Sequence, residues 1–498
     1  MRRRAILSLS VFFPLAGLVA LAKPNTQYPI SDAPTPSVQA DTGAAYLPLV
    51  ANGWRRPPPH LTPTASATSS PSPTTTATST PTLTPTPAAA TVRYVSGSSQ
   101  KVCQLTGEFD RERQQTTLNR TESRFGVIGT DLGASFEHAG RLYFLFGDTV
   151  GVERRGGDSI AYSEDTDPDD CVTMSFVIAR DGLYLPPHVP GVSLGAFEVP
   201  SGGFSAGEKM YVFFTTDHSE QTMMGRSVLA LSTDGAQSYE YLYDVSRDKF
   251  INIAPAIVDN ADVPGLPEGN GQGLLLWGSG PYRHSDPYLA FMPLSGVEDH
   301  SSLRYFTGLD SGSGSPLWST AEAEAATLFS QPCIGELSVA WNPFLRRWLM
   351  LYNCADPRGI NFRVADQPWG PWSEAQVLFH PWEDGGYCHF MHVSWESQNC
   401  DSVHDPGRQN VWGGEYGPYL IPRYAVGDDS RTTIYYVMST WNPYNVVLMK
   451  STLHFSSELL SSLSRGELSS SGLAKVIQLS RILADERQVE IGLRRGRE

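Results

Sequence analysis

The sequence predicts an all-β protein, a β-propeller of five blades. Short runs rich in aromatic and branched residues recur every ~40 to 70 residues, the spacing of propeller repeats. Gly, Pro, Asp and Asn punctuate them, as turns require. Helical periodicity is nearly absent until the C-terminal tail. A β-sandwich is the alternative.

Five units can be marked. The first is the stretch Val127 to Val150, a hairpin. The second runs from Gly195-Ala196-Phe197-Glu198 through Met210-Tyr211-Val212-Phe213-Phe214 to Val228-Leu229-Ala230-Leu231. The third contains Ile253 to Val258, Leu274-Leu275-Leu276-Trp277 and Tyr288-Leu289-Ala290-Phe291. Glu336 to Ala340, Trp348 to Tyr352 and Asn361 to Val364 make the fourth. Gly417 to Ile421, Ile434 to Met438 and Asn445 to Met449 make the fifth.

Ahead of these units lie two segments of another kind. Residues 1–22 open with three arginines, continue in an apolar run and end in Ala20-Leu21-Ala22, the pattern of a secretory signal peptide. Residues 23–90 form a spacer, and from Leu61 to Ala90 it holds only Leu, Thr, Pro, Ala and Ser. Such a composition buries too little apolar surface to offset the entropy of ordering, so disorder is expected. Residues 91–455 are assigned to the propeller and 456–498 to a tail, in which Leu473, Val476, Ile477, Ser480 and Leu483 share a possible helical face. The expected location is outside the cytoplasm, secreted or held at a cell surface through the spacer. No later run reaches the ~20 apolar residues of a membrane span.

The formal charge of −15 comes with no basic stripe and argues against a nucleic-acid partner. Six cysteines in an exported chain are expected to pair, with 15 connectivities open. Closeness within a repeat favours Cys333 with Cys354 and Cys388 with Cys400, which leaves Cys103 with Cys171. The stretch Cys388-His389-Phe390-Met391-His392 lacks a second Cys or acid at ligand spacing, so neither a resident metal nor a cofactor is expected.

The chemistry concentrates in the first hairpin. Its limbs run from Asp131 through Phe136 and from Leu142 through Phe146 to Asp148, turning at His138-Ala139-Gly140. Paired strands lie ~5 Å apart, so the two acids are brought together at the open end. Two carboxylates so placed suit glycoside hydrolysis, one as acid and one as base.

In a propeller the first strand of each blade starts on one face and the second ends there. That rule gathers Asp131, Asp148, Glu198, Asp217, Glu336, Glu415 and Tyr416 around a central funnel. Trp277, Tyr282, Arg283, His284, Arg363, Trp441, Asn442 and Tyr444 stand near other strand ends. Aromatic faces stack on sugar rings, and Arg and Asn donate to hydroxyls.

Gly129-Thr130-Asp131-Leu132-Gly133, Phe136-Glu137-His138, Leu142 to Thr149, Tyr282 to Ala290 and Gly370-Pro371-Trp372-Ser373 resemble a bacterial domain-of-unknown-function family. Some of its members are endo-D-arabinanases, glycoside hydrolases that cut D-arabinan. The resemblance covers roughly Phe125 to Leu453. It implies a five-bladed propeller and places the catalytic acids at Asp131 and Asp148.

The expected activity is hydrolysis of a furanose-containing polysaccharide, with D-arabinan as the named possibility. One alternative is a non-catalytic propeller that binds glycan or protein, its funnel acids holding structure or a cation. Another is a sialidase-like hydrolase, suggested by the turn Ser232-Thr233-Asp234-Gly235 followed by Tyr239; it needs an arginine cluster for which only Arg283 and Arg363 are obvious candidates. Protein recovered from outside the cytoplasm is expected to begin at Lys23, which N-terminal sequencing checks; an intact Met1 would contradict the signal-peptide assignment.

Overall fold

The computed structural model describes residues 91–456; the expected signal peptide, spacer and tail helix face lie outside the described residues. The chain begins with β1 (Thr91–Tyr94) and β2 (Gln100–Gln104), a small hairpin of β3 (Phe109–Asp110) and β4 (Gln115–Thr116), and a single-turn helix α1 (Thr121–Phe125). Blade one follows as β5 (Val127–His138), β6 (Arg141–Gly151), β7 (Ser159–Ser163) and β8 (Ser175–Phe176). Blade two is β9 (Pro200–Ala206), β10 (Lys209–Thr216), β11 (Arg226–Ser232) and β12 (Glu240–Ser246). Blade three has five strands: β13 (Asn252–Asp259), β14 (Gln272–Ser279), β15 (Pro287–Pro293), β16 (Arg304–Leu309) and β17 (Pro316–Ser319). Blade four is β18 (Leu337–Asn342), β19 (Arg347–Ala355), β20 (Arg358–Ala365) and β21 (Gln376–Phe379). Blade five holds β22 (Glu415–Leu420), β23 (Val426–Asp428), β24 (Arg431–Thr440) and β25 (Asn445–Ser456).

Neighbouring strands pair antiparallel, in chain order in the first four blades, whereas in blade five β24 pairs with β22, β23 and β25. The first strands β5, β9, β13, β18 and β22 each touch the next around the axis, and β22 returns to β5. The expected propeller is therefore the fold, and the sandwich alternative falls. Every expected unit is a blade; the first four have one or two strands more than the sequence patterns marked, and blade five, with β1 and β2, has three more.

Two sequence features explain the ring. The second strands β6, β10, β14, β19 and β24 are apolar runs buried along almost their whole length. Alternation gives way to continuous hydrophobicity because both of their faces press on neighbouring blades. The core accordingly lies between blades, in four apolar clusters. Near the axis, space is short. A Cβ on Gly202 would stand 2.5 Å from the Ile253 carbonyl oxygen, and one on Gly203 would stand 2.6 Å from Phe136, so only glycine lets β9 sit between β5 and β13.

Blade five is completed by the other end of the domain. β1 pairs with β25 from Thr91 opposite Ser456 to Tyr94 opposite Leu453, and β2 pairs with an earlier stretch of the same strand. All six cysteines are paired as spacing favoured: Cys103 with Cys171, Cys333 with Cys354, and Cys388 with Cys400. Cys388 therefore offers no thiolate to a metal. The Asp234 carboxylate accepts bonds only from its own turn, from Ser232, Gln237 and Ser238, and so shapes a loop. Among the described residues no helix is long and apolar enough to cross a membrane.

The Cys103–Cys171 bridge ties the closing strand β2 to blade one across 68 residues. Replacing both cysteines by serine is expected to cost ~2 to 4 kcal/mol, read as an earlier midpoint in denaturant. An unchanged midpoint would show that the seam needs no covalent tie.

Candidate functional site

The two hairpin acids meet, though by a different local geometry from the one expected. β5 and β6 stay paired beyond them, to Val127 opposite Gly151, so neither acid ends the hairpin. Asp131 instead faces Gly147, the residue before Asp148. A Cβ at Gly147 would come within 2.9 Å of Asp131 Oδ1, so glycine is needed for the carboxylate to fit. The ladder slips on both sides of Asp131, and Leu132 and Asp148 take left-handed backbone with φ of 60° and 36°. Bulges of this kind re-aim side chains, and such strain concentrates at functional sites.

Asp131 is buried, with 8% of its surface exposed. Its Oδ2 accepts a 2.9 Å hydrogen bond from the Tyr416 hydroxyl, and its Oδ1 is buried with no hydrogen-bond partner among the described residues. Burial pushes the Asp131 carboxyl well above the usual range, and the nearby charge of Asp148 adds to the push. Tyr416, Tyr444 and the charge of Glu336 also act on it, the tyrosines in the opposite sense. Both Asp148 oxygens face the Phe197 amide, which donates at 3.0 and 3.3 Å. Burial raises the Asp148 carboxyl to about 6, against the pull of that amide and of His218.

Three more acids complete the group. Glu198, just before β9, accepts from Ser193 Oγ at 2.6 Å, Gly195 N at 2.6 Å and His218 N at 2.9 Å. Burial pushes it up, but these bonds outweigh that and hold it below the usual range. Glu336, just before β18, accepts from the Tyr282 hydroxyl at 2.7 Å and lies 3.5 Å from Arg283. The Arg283 guanidinium lies over the rings of both Tyr282 and Tyr416, linking Glu336 to the Asp131 side. The third acid, Asp158, was not among the expected residues. Its Oδ1 accepts from the Asp148 amide at 3.1 Å while Oδ2 is buried without a partner. Burial first, then Asp148, drives it well above the usual range. It stands before the third strand of its blade, on the face where the second strand ends, so extending the strand-end rule by one hairpin would have found it.

Tyr444 donates from its hydroxyl to the Asp148 carbonyl at 2.9 Å. Trp441 packs against Tyr444 at 5.8 Å, under the Arg408 guanidinium. Glu415, next to Tyr416, lies 3.5 Å from Arg358.

Four of the expected residues serve elsewhere, whereas His284 stays beside Arg283. Asp217 pairs with Arg226 and Arg247 in an ion cluster at the outer strands of blade two. His284 is exposed on the turn after β14. Arg363 sits mid-strand in β20, buried against Gln331, Tyr352 and the Ser373 carbonyl. Asn442 is buried and fastens the loop ahead of blade five through the Arg408 and Val411 carbonyls and the Asp405 amide. Trp277 is fully buried between blades three and four, its Nε1 donating to the Pro368 carbonyl.

Fold and site define a five-bladed propeller with an acid-lined central funnel. The chain belongs to the family described as Domain of unknown function (DUF4185), which it matches over residues 116–450. No curated protein matches the sequence. Among solved structures it is similar to a GH43_1 enzyme of Xanthomonas citri, at 13% identity and TM-score 0.34, covering 65% of this chain and 87% of that one. An exo-β-1,3-galactanase of Phanerochaete chrysosporium is similar at 10% identity and TM-score 0.37, covering 70% and 64%. A protein of unknown function from Dyadobacter fermentans is similar at 10% identity and TM-score 0.34, covering 72% and 100%.

The raised carboxyls give stability a pH dependence. Folding favours their protonated form, so their contribution is full below the unfolded value of ~4 and is lost as pH rises through the folded values. Asp131→Asn is expected to raise the melting temperature at pH 8 and to change it little near pH 4. A lower melting temperature at pH 8 would contradict the burial argument.

Proposed function

We propose that this protein is an exported glycoside hydrolase that cleaves a furanose-containing polysaccharide, with D-arabinan as the substrate to test first. The observation that carries the reading is the buried pair Asp131 and Asp148. Both are pushed toward the protonated form by burial, Asp131 also by the charge of Asp148, while the Phe197 amide and His218 pull Asp148 back, and both have fixed partners. Two adjacent carboxylates with separated proton affinities can divide the work of acid and base at neutral pH. Asp131, the deeper of the two and driven up both by burial and by its neighbour's charge, keeps its proton and delivers it to the leaving oxygen. Asp148, raised to about 6, is ionised above that pH and acts on the anomeric carbon, directly or through a water. Tyr416 and Tyr444 steady the carboxylate that Asp131 becomes. Asp158 is a positioning residue that holds the Asp148 amide.

The furanose preference rests on the arabinanase-like segments around Asp131, Asp148 and Tyr282. Export is supported by three disulfides that use every cysteine, a pattern rare in reducing compartments. For the sialidase-like alternative only Arg283 stands beside the funnel acids, since Arg363 is committed within blade four and the Asp234 turn serves its own loop.

Released reducing ends from arabinan and arabinogalactan give the test. Asp131→Asn and Asp148→Asn are each expected to lower the rate at least ~100-fold. Wild-type activity should rise through about pH 6 as Asp148 ionises and fall at higher pH as Asp131 loses its proton. Full activity in both variants would sink the assignment.

A further inference from the structure

Residues 380–414 connect β21 to β22, passing from the outer edge of blade four to the axis of blade five. The connection lies on the face where inner strands begin, the face that carries the acids. Near its start Trp382 is 45% exposed, yet it is not loose. Its ring lies 4.8 Å from Tyr387 and 6.2 Å from Trp412, and Trp412 crosses Tyr387 edge-on at 5.5 Å. Tyr387 is buried beneath, its hydroxyl donating to the Gly413 carbonyl, and the Cys388–Cys400 bridge clamps the chain directly after it. An ordered aromatic group left facing solvent forfeits apolar burial, which marks a binding surface more than a packing one.

The group is continuous with the funnel. Arg358, the first residue of β20, donates to the Tyr387 hydroxyl at 2.8 Å and lies 3.5 Å from Glu415. The next residue, Tyr416, holds Asp131. Arg358 and Glu415 offset each other's charge, so nothing in this stretch selects an ionic ligand. Indole faces pack on the C–H faces of sugar rings, while a guanidinium and a carboxylate at their edge serve hydroxyls.

We propose that Trp382 and Trp412, backed by Tyr387 and edged by Arg358 and Glu415, form a sugar-binding wall beside the carboxylates. The site then takes an uncharged glycan chain across several residues and not a single terminal sugar. This rests on the reading that the funnel acts on glycan, and it specifies a chain as the substrate.

The test uses full-length protein carrying Asp131→Asn, so that bound glycan is not consumed. Arabino-oligosaccharides of increasing length are titrated calorimetrically into this parent, into the parent with Trp382→Ala, and into the parent with Trp341→Ala. Trp341 is 42% exposed at the far end of β18, on the opposite face, and serves as control. Affinity is expected to grow with chain length in the parent and in the Trp341 variant. Trp382→Ala should weaken the longest chain ~5-fold or more and leave the shortest unchanged, with Trp382→Phe restoring most of the loss. Equal affinities in the parent and the Trp382 variant, affinity independent of length, or no binding to any protein would overturn the proposal. If the wall binds chains but wild-type protein cuts none, the hydrolase reading fails while the wall stands. Cleavage with unaltered binding in the Trp382 variant gives the reverse.

Discussion

The structure depends on closing the ring. Five sheets, each apolar on both faces, can bury those faces only against one another, and the first and last blades must meet for none to be left bare. The closure is made by backbone pairing of β1 and β2 with β25, so that blade five contains both ends of the domain. The site is built on this same seam. Asp131 comes from blade one and Tyr416 from blade five, and their hydrogen bond exists only in the closed ring. The Ser439 hydroxyl of blade five accepts from the strained Leu132 amide at 2.7 Å across the same junction.

The acids at the axis are held at a cost. Asp131 Oδ1, Glu336 Oε2 and Asp158 Oδ2 are buried without hydrogen-bond partners among the described residues. Such groups lower stability, and a fold keeps them where their chemistry matters. Their environments are graded. Glu198 is wrapped in donors and pulled down, Asp148 faces one amide and rises to about 6, and Asp131 is pushed up by burial and by its neighbour's charge. That gradient arises from which loop crosses each carboxylate, since the residue types are nearly the same.

The remaining specialisation lies in the loops on one face. The connection before blade five carries the Trp382 group, a disulfide and the buried His392, whose Nδ1 meets Asp401 at 2.5 Å and whose Nε2 meets the Gln409 carbonyl at 2.7 Å. The Asp405 carboxylate ties this loop to Arg111 near the N-terminal side and to the Tyr444 amide near the funnel. The blades thus give the ring, and one loop is fastened across the face that carries the acids.

The sequence by itself determined the blades, because continuous apolar runs such as Met210 to Phe214 have no partner except other blades. It determined the cysteine pairs through their closeness, and it pointed to Asp131 and Asp148 because a hairpin brings its limbs together whatever surrounds it. Rules of strand position also reached Glu336 and Tyr416. They failed for Arg363, which sits within β20 and turns into the blade, and for Asn442, which stands just past the end of β24 but turns into a loop interior. They passed over Asp158, Arg358 and Trp382, which follow no fixed position in a repeat. Tertiary structure alone decided those cases. Which way a side chain faces at the rim of a propeller is set by the neighbouring blade and the crossing loop, and neither is adjacent in sequence.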